Sequence, residues 1–280
     1  MSAPAVSVVV PTRNRGDYLD VTLASLSSQR AGAAYEIVVV DDNSTDATRV
    51  VAEGHGVPVK PVGPPGGLNA SRNTGVAETT GALVAFVDDD IWAPPGWLAA
   101  LLDGAARHPE AEAFGGPIRA RFEGPAPRAC GREAPPITTL DLGGVDRPAE
   151  MVWGANFAVR RSAIERFGPF DPAVAGHGDE EDWLIALTAT GGQIVYLAGA
   201  GVDHRRVGDD ARLRSLSLAA FRRGRAAKRS ERRRGRAPGG ATDLRNLAGA
   251  GWHTVRRRCP QGLIMGAHSA GRLAETLRRP

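Results

Sequence analysis

Apolar and polar positions along this chain come in blocks. Val6 to Val10 is a short apolar, β-branched run that stops at Pro11, the pattern of a buried strand. Across residues 15–29, Tyr18, Val21, Leu23 and Leu26 recur at roughly helical spacing. The scheme repeats with a strand over Glu36–Val40, after which Ser44 or Thr45 reads as the cap of the next helix. A helical pattern over Asn69–Thr79, a strand over Ala82–Val87 and a helix over Pro95–Ala106 follow. Strands alternating with helices predict an α/β fold with an open, mostly parallel sheet flanked by helices.

The second half is less regular. Residues 116–150 are rich in Pro and Gly and read as a long loop or irregular lid. "VWGANFAVRRSAIERFGPFD" then predicts a short strand, a helix over Ser162–Phe167 and a turn. After "GDEEDW" come an amphipathic helix through Leu184 and Leu187 and a strand over Ile194–Leu197. Beyond His204 the pattern is Arg-rich and helical, and no internal repeat is present.

Composition adds bounds. At 280 residues, 42% of them hydrophobic and 24% charged, the chain suits one large soluble domain or two. The apolar run near the N-terminus lacks a preceding basic segment and is broken by Pro11, so it does not read as a signal peptide. No stretch approaches the ~18 apolar residues of a membrane span. The two cysteines, Cys130 and Cys259, are far apart and show no partner spacing for zinc or a redox motif. A cytoplasmic location is the simplest expectation, peripheral at the inner face of a membrane if the chain meets one.

The net charge of +4 hides an asymmetry, because residues 205–236 hold thirteen Lys or Arg against Asp209, Asp210 and Glu231. This run reads either as a solvated helix face or as a surface for an anionic membrane, a lipid-linked acceptor or another phosphate-bearing acceptor. Phe221 is its single aromatic, so nucleic acid is not the expected partner.

Each early strand ends in polar groups: Thr12, Arg13 and Asn14, then Asp41 and Asp42, then Asp88, Asp89 and Asp90. Ligands of open α/β sheets bind beyond the carboxyl ends of the strands. Three adjacent carboxylates repel one another and call for a cation. Asp88 and Asp90, at alternate positions of an extended segment, point to one side and suit Mg²⁺ or Mn²⁺ bridging to a diphosphate. Upstream, "GGLNASRNTG" sets Arg72 and Asn73 near a helix start behind a Gly-rich turn, an arrangement that suits an anion. A redox dinucleotide fingerprint and a Walker A sequence are both missing.

These segments, "VSVVVPTRNR", "EIVVVDDNSTDAT", "ASRNTG", "VAFVDDDIWAPPGWL", "GANFAVRRSAIERFGPFD", "GDEED" and "GGQIVYLAGAGVDH", resemble in order and spacing the family 2 glycosyltransferases of GT-A fold. The resemblance covers roughly residues 5–204. It implies a metal-dependent, inverting transfer of a sugar from a nucleotide-diphosphate sugar to a hydroxyl acceptor. By the same resemblance, Pro11, Thr12 and Asn14 match the loop that cradles the nucleotide, Asp41 or Asp42 the acid that bonds the base, and Arg72 a residue near base or phosphate. Asp88 and Asp90 match the outer acids of the DxD motif that holds Mn²⁺ or Mg²⁺, with Asp89 beside the nucleotide sugar and His204 a further metal ligand. Trp153, Gly154, Asn156 and Asp179 fall at the donor-sugar and acceptor pocket. The implied layout is a nucleotide-sugar half over 1–110, an acceptor and base half over 111–204, and a basic helical extension over 205–280.

An inverting transfer needs a carboxylate to take the acceptor's proton. Counting back from Gly191 and the strand after it puts Glu180 at the family's base position and Asp182 at the second acid; matching "Glu-Asp-Trp" by residue type makes Asp182 the base. At least one acid of this stretch is expected to serve the helix start. Two rivals are a sugar-1-phosphate nucleotidyltransferase, which would carry a Gly-rich basic loop where Pro11–Asn14 stands, and a catalytically inactive polyanion- or membrane-binding protein. "AHSAG" around Ser269 resembles a nucleophile elbow, but no His follows it.

Overall fold

The computed structural model describes residues 3–64, 66–124, 127–174 and 180–278. In chain order the elements are β1 (Val6–Thr12), α1 (Gly16–Ser27), β2 (Tyr35–Asp41), α2 (Thr48–Gly54), β3 (Val59–Pro61), α3 (Leu68–Ala77), β4 (Leu83–Val87), β5 (Ile91–Trp92) and α4 (Trp97–Arg107). There follow β6 (Ala113–Gly115), β7 (Ile118–Glu123), β8 (Arg147–Pro148), β9 (Asn156–Arg160), α5 (Arg161–Phe167), α6 (Glu181–Ala189), β10 (Ile194–Tyr196) and β11 (Val202–Val207). Three helices end the chain: α7 (Leu213–Arg233), α8 (Gly240–Arg257) and α9 (Gln261–Leu277). The chain divides into two compact units. One comprises residues up to 119 with 139–174 and 180–204; the other comprises 120–138 and 205 onward.

The first unit is built on a sheet of order β3-β2-β1-β4-β9-β6-β10-β8. β1 pairs parallel with β2 and β4, and β2 with β3. β9 runs antiparallel to both β4 and β6, while β10 pairs parallel with β6, so β9 and the short β8 are the strands that run against a mostly parallel sheet. Both faces are covered, which is why the strands read as continuous apolar runs. Val6, Val8 and Val10 join Leu19, Leu23, Leu26, Trp97 and Leu98 on one face; Val9 joins Val84, Phe86, Ile164, Trp183 and Leu184 on the other. In α1 the buried stripe runs through Leu19, Leu23 and Leu26, while Val21, expected there, is only half-buried.

Two sequence expectations need correcting. Ser44 and Thr45 do not cap α2, which starts at Thr48; they bond Asn14 instead, and the Thr48 N–H donates to Asp46 Oδ1 at 3.0 Å. Residues 116–150 are not loop throughout, since β7 and the short β8 lie within them.

The second unit is helical as expected. Its core joins Ile137, Leu216, Ala220 and Ile264. The Gly224 and Gly271 positions bring α7 and α9 into backbone contact. A Cβ at Gly224 would stand 2.0 Å from the His268 carbonyl oxygen, and one at Gly271 2.1 Å from that of Phe221. The basic run is largely consumed internally. Arg225 and Arg229 pair with Glu275, Lys228 with Asp243, and Arg205 with Glu123. Cys130 and Cys259, which show no partner spacing along the sequence, are gathered by the fold with Glu133 and His253. Ser269, the elbow decoy, lies mid-helix with its hydroxyl bonded to the Met265 carbonyl.

Candidate active site

The carboxyl ends of β1, β2 and β4 lie side by side, because β1 sits between the other two. The loops after β1 and β2 are laced together. Asn14 and Asn43 both adopt left-handed backbone, at φ 52° and 59°. The Asn14 N–H donates to Ser44 Oγ at 2.8 Å, and Asn14 Oδ1 accepts from the Thr45 N–H at 2.7 Å. Pro11 is buried at the end of β1, where the Thr12 carbonyl accepts from the Asp42 N–H. Asp41 accepts from the Ser44 N–H, and Asp42 from the Gly67 N–H ahead of α3; both acids remain partly exposed.

β4 ends at Val87, and the acids follow at once. β5 then pairs antiparallel with β11, with His204 opposite Ile91. That register sets the imidazole beside the acids: His204 Nε2 is 3.2 Å from Asp90 Oδ1, and Asp88, Asp90 and His204 each offer a ligand atom within 4.8 Å of the others. Two carboxylates and an imidazole form a hard, oxygen-rich donor set that fits Mn²⁺ or Mg²⁺. Burial, and then the field of Asp90, push the Asp88 carboxyl up, while His204 and Arg72 draw it down. A cation among these groups would relieve that strain.

Asp89 turns the other way. Its carboxylate accepts from the Thr12 hydroxyl at 2.7 Å and pairs with Arg15 Nε at 2.9 Å. Burial, opposed by Arg15, pushes it up to about 7. Arg15 also reaches Asp90 Oδ2 at 2.6 Å, which makes it the counter-charge the protein itself supplies to the triplet. Sequence reasoning misses Arg15; the signal is a cation just past a strand that neighbours the acidic one.

Across the site stands a buried pair. The Arg72 guanidinium lies 3.3 Å from Glu180 Oε2, is bonded by Asn69 Oδ1 at 2.8 Å, and rests over the rings of Phe157 and Phe170. Glu180 Oε1 accepts from the Gly154 N–H at 2.8 Å. A Cβ at 154 would stand 2.5 Å from the Arg72 guanidinium, so a larger residue there would displace that side chain from Glu180. Glu180 is also one of the charges felt by Asp88. Asp182, in the first turn of α6, is half-buried, and no side-chain bond caps that helix. Asp179 lies outside the described residues. Trp153 packs, half-buried, against the core. The Asn156 amide is a clamp, accepting from Trp97 Nε1 at 3.0 Å and donating to the Ala200 carbonyl at 2.8 Å.

A family model described as "Glycosyl transferase family 2" matches residues 7–168. The chain belongs to that family. Among curated relatives, it is 29% identical over 209 residues to validoxylamine A glucosyltransferase of Streptomyces hygroscopicus subsp. jinggangensis, covering 64% of this chain and 50% of that one. It is 27% identical over 215 residues to glucosyl-dolichyl phosphate glucuronosyltransferase of Haloferax volcanii, covering 71% and 69%. This family 2 chain thus spans about half the length of the first of these. Its fold is similar to the mannosyltransferase PcManGT of Pyrobaculum calidifontis, solved in complex with GDP-Man and Mn²⁺. The TM-score is 0.60 at 19% identity, covering 98% of this chain and 72% of the other. The fold is of GT-A type.

Proposed function

We propose that the chain is a metal-dependent, inverting glycosyltransferase that moves a sugar from a nucleotide-diphosphate sugar to a hydroxyl acceptor. The observation that carries this reading is the convergence of Asp88, Asp90 and His204 at the sheet's carboxyl edge, with Glu180 close enough for Asp88 to feel its charge. In this reading Asp88, Asp90 and His204 hold Mn²⁺ or Mg²⁺, whose chemistry there is to neutralise charge on the departing diphosphate. The solved complex of the structural neighbour contains GDP-Man and Mn²⁺, in keeping with that assignment.

The laced loops at Pro11, Thr12, Asn14, Asp41 and Asp42 cradle the nucleotide. Asp89 positions rather than binds: through Thr12 and Arg15 it fixes the first loop against the acidic turn. Glu180 is the base. It takes the proton of the acceptor hydroxyl as that oxygen attacks the anomeric carbon, and the bond from that carbon to the diphosphate breaks on the opposite face. Arg72 and the Gly154 N–H aim the Glu180 carboxylate. Asp182 supports the helix start, and Trp153 flanks the acceptor.

A nucleotidyltransferase is disfavoured by the Pro-Thr-Arg-Asn loop after β1. A polyanion binder is disfavoured by the internal pairing of the basic run. One surface favours contact of the second unit with an anionic membrane or a lipid-linked acceptor, the class named for the glucosyl-dolichyl phosphate relative. On α8, Leu244, Trp252 and Val255 share one side and are exposed, with Arg245 and Arg256 exposed beside them. No helix among the described residues is long and apolar enough to cross a membrane.

The test is calorimetric titration of UDP, GDP and dTDP, with and without Mn²⁺, into the wild type and Asp90→Ala. Binding of one diphosphate that requires both the metal and Asp90 supports the reading. Binding indifferent to both would sink it.

A further inference from the structure

Outside the site already described, the fold builds a second convergence of metal-ligating groups. It lies wholly within the helical unit. Cys130 and Glu133 come from an irregular segment, His253 from the last turns of α8, and Cys259 from the junction before α9. One ligand atom from each lies within 4.8 Å of the others. Cys130 Sγ is 3.2 Å from Glu133 Oε2 and 3.4 Å from His253 Nε2; Cys259 Sγ is 3.9 Å from the same carboxylate oxygen.

We propose that Cys130, Glu133, His253 and Cys259 hold one zinc ion as a structural clip. Four donors from Cys, His and carboxylate make a closed tetrahedral set of the kind that structural zinc sites use. With metal–ligand distances of about 2.0–2.3 Å, the donors of such a site stand about 3.3–3.8 Å apart, so the cluster needs only a small contraction. The ligand spacing agrees: two residues separate Cys130 from Glu133 and five separate His253 from Cys259, within the ranges of zinc sites that join two short segments. A disulfide would account for two of these groups. It gives no reason for a carboxylate and an imidazole to converge on the same sulfurs.

The donor chemistry also separates this site from the first. Thiolates are soft and select zinc, whereas Asp88, Asp90 and His204 suit harder ions. Binding exchanges protons for metal. Two thiol protons leave to solvent as two S–Zn bonds form, the carboxylate and neutral imidazole supply the other two, and the site's net charge becomes −1. Nearby residues Arg256, Arg257 and Arg258 suit that sign. The clip would close one end of the segment 127–138, whose other end is held by Ile137 in the core with Leu216, Ala220 and Ile264.

The experiment uses the full chain, reduced and stripped of metal, titrated with Co²⁺ and then Zn²⁺. The expected result is a near-ultraviolet thiolate-to-cobalt charge-transfer band that saturates at about one equivalent, is abolished by zinc, and releases about two protons per metal below the thiol pKa. Asp90→Ala leaves the band intact, because the first site offers no sulfur. Cys130→Ser, at an exposed position that spares the fold, loses about half of the band. His253→Ala weakens metal affinity at least about tenfold. Absence of the band in reduced protein overturns the proposal. So does a Cys130–Cys259 disulfide in protein purified with zinc and without reductant, or a band unchanged in both Cys130→Ser and His253→Ala.

Discussion

Arg72 and Glu180 face each other across 3.3 Å, and both side chains are almost completely shut from solvent. Removing one member of a buried ion pair strands the other, at a cost of about 3–5 kcal/mol. Arg72→Met is therefore expected to lower the denaturation midpoint sharply. Glu180→Gln keeps an acceptor for the Gly154 N–H and costs less stability, yet removes the proposed base. Its kcat should fall about 10²–10⁴-fold, with nucleotide binding unchanged by calorimetry. If Asp182→Asn lost that much and Glu180→Gln stayed near wild type, the base would be Asp182.

Arg15 answers two carboxylates at once, Asp89 at 2.9 Å and Asp90 at 2.6 Å. Without it, adjacent acids repel in a buried setting. Arg15→Met should lower the thermal midpoint, and added Mn²⁺ should restore part of the loss by supplying the missing positive charge. The Mn²⁺-induced rise, read by thermal shift, should exceed that of the wild type. An equal or smaller rise would mean that Arg15 and the metal do not answer the same acids.

Much of this organisation is legible in the sequence because burial on both sheet faces forces long apolar runs, and because three adjacent carboxylates at a strand end demand a counter-charge. What stays hidden are roles set by partners far along the chain. Nothing local marks Arg15 as the counter-charge of Asp89 and Asp90, or Asn156 as a clamp between Trp97 and Ala200. The Gly-rich turn before Arg72 suggests a side chain facing nucleotide, yet its guanidinium is spent on Asn69, Glu180 and two aromatic rings. Cys130 and Cys259, set only against each other, show no metal spacing. Carboxylate and imidazole neighbours, three and six positions away, are the signal that exposes the second cluster.

The contact of α7 with α9 turns on two glycines that face backbone rather than flexible side chains. Gly224→Ala would press a methyl to 2.0 Å from the His268 carbonyl, and Gly271→Ala to 2.1 Å from that of Phe221. Backbone cannot step aside as a side chain can, so each change should cost at least the ~1–3 kcal/mol typical of overpacking. Alanine's better helix propensity returns at most ~1 kcal/mol. Hydrogen exchange should report faster opening across residues 213–277, with peptides of the sheet unaffected. Unchanged protection would mean that the helices pack further apart.

Asp243 sits fully buried between two cations, with Lys228 Nζ at 2.7 Å and Arg272 Nε at 2.6 Å. Burial alone would raise its carboxyl pKa, but the hydrogen bonds from Lys228 and Arg272 prevail and hold it below the usual carboxylate range. A folded value below the unfolded one, about 3.9, means that the unfolded state binds the proton first as pH falls. The stability that Asp243 contributes is thus fully present above about pH 4 and is lost as pH drops through its folded value. Asp243→Asn should cost about 3–5 kcal/mol at pH 7 by leaving both cations without their shared anion. It should also flatten the acid limb, because the site no longer takes up a proton on unfolding. Exchange protection of α7–α9, followed from pH 7 to 3 in both proteins, separates the outcomes. Converging curves at low pH carry the argument, and curves that stay parallel place the acid sensitivity in other carboxylates.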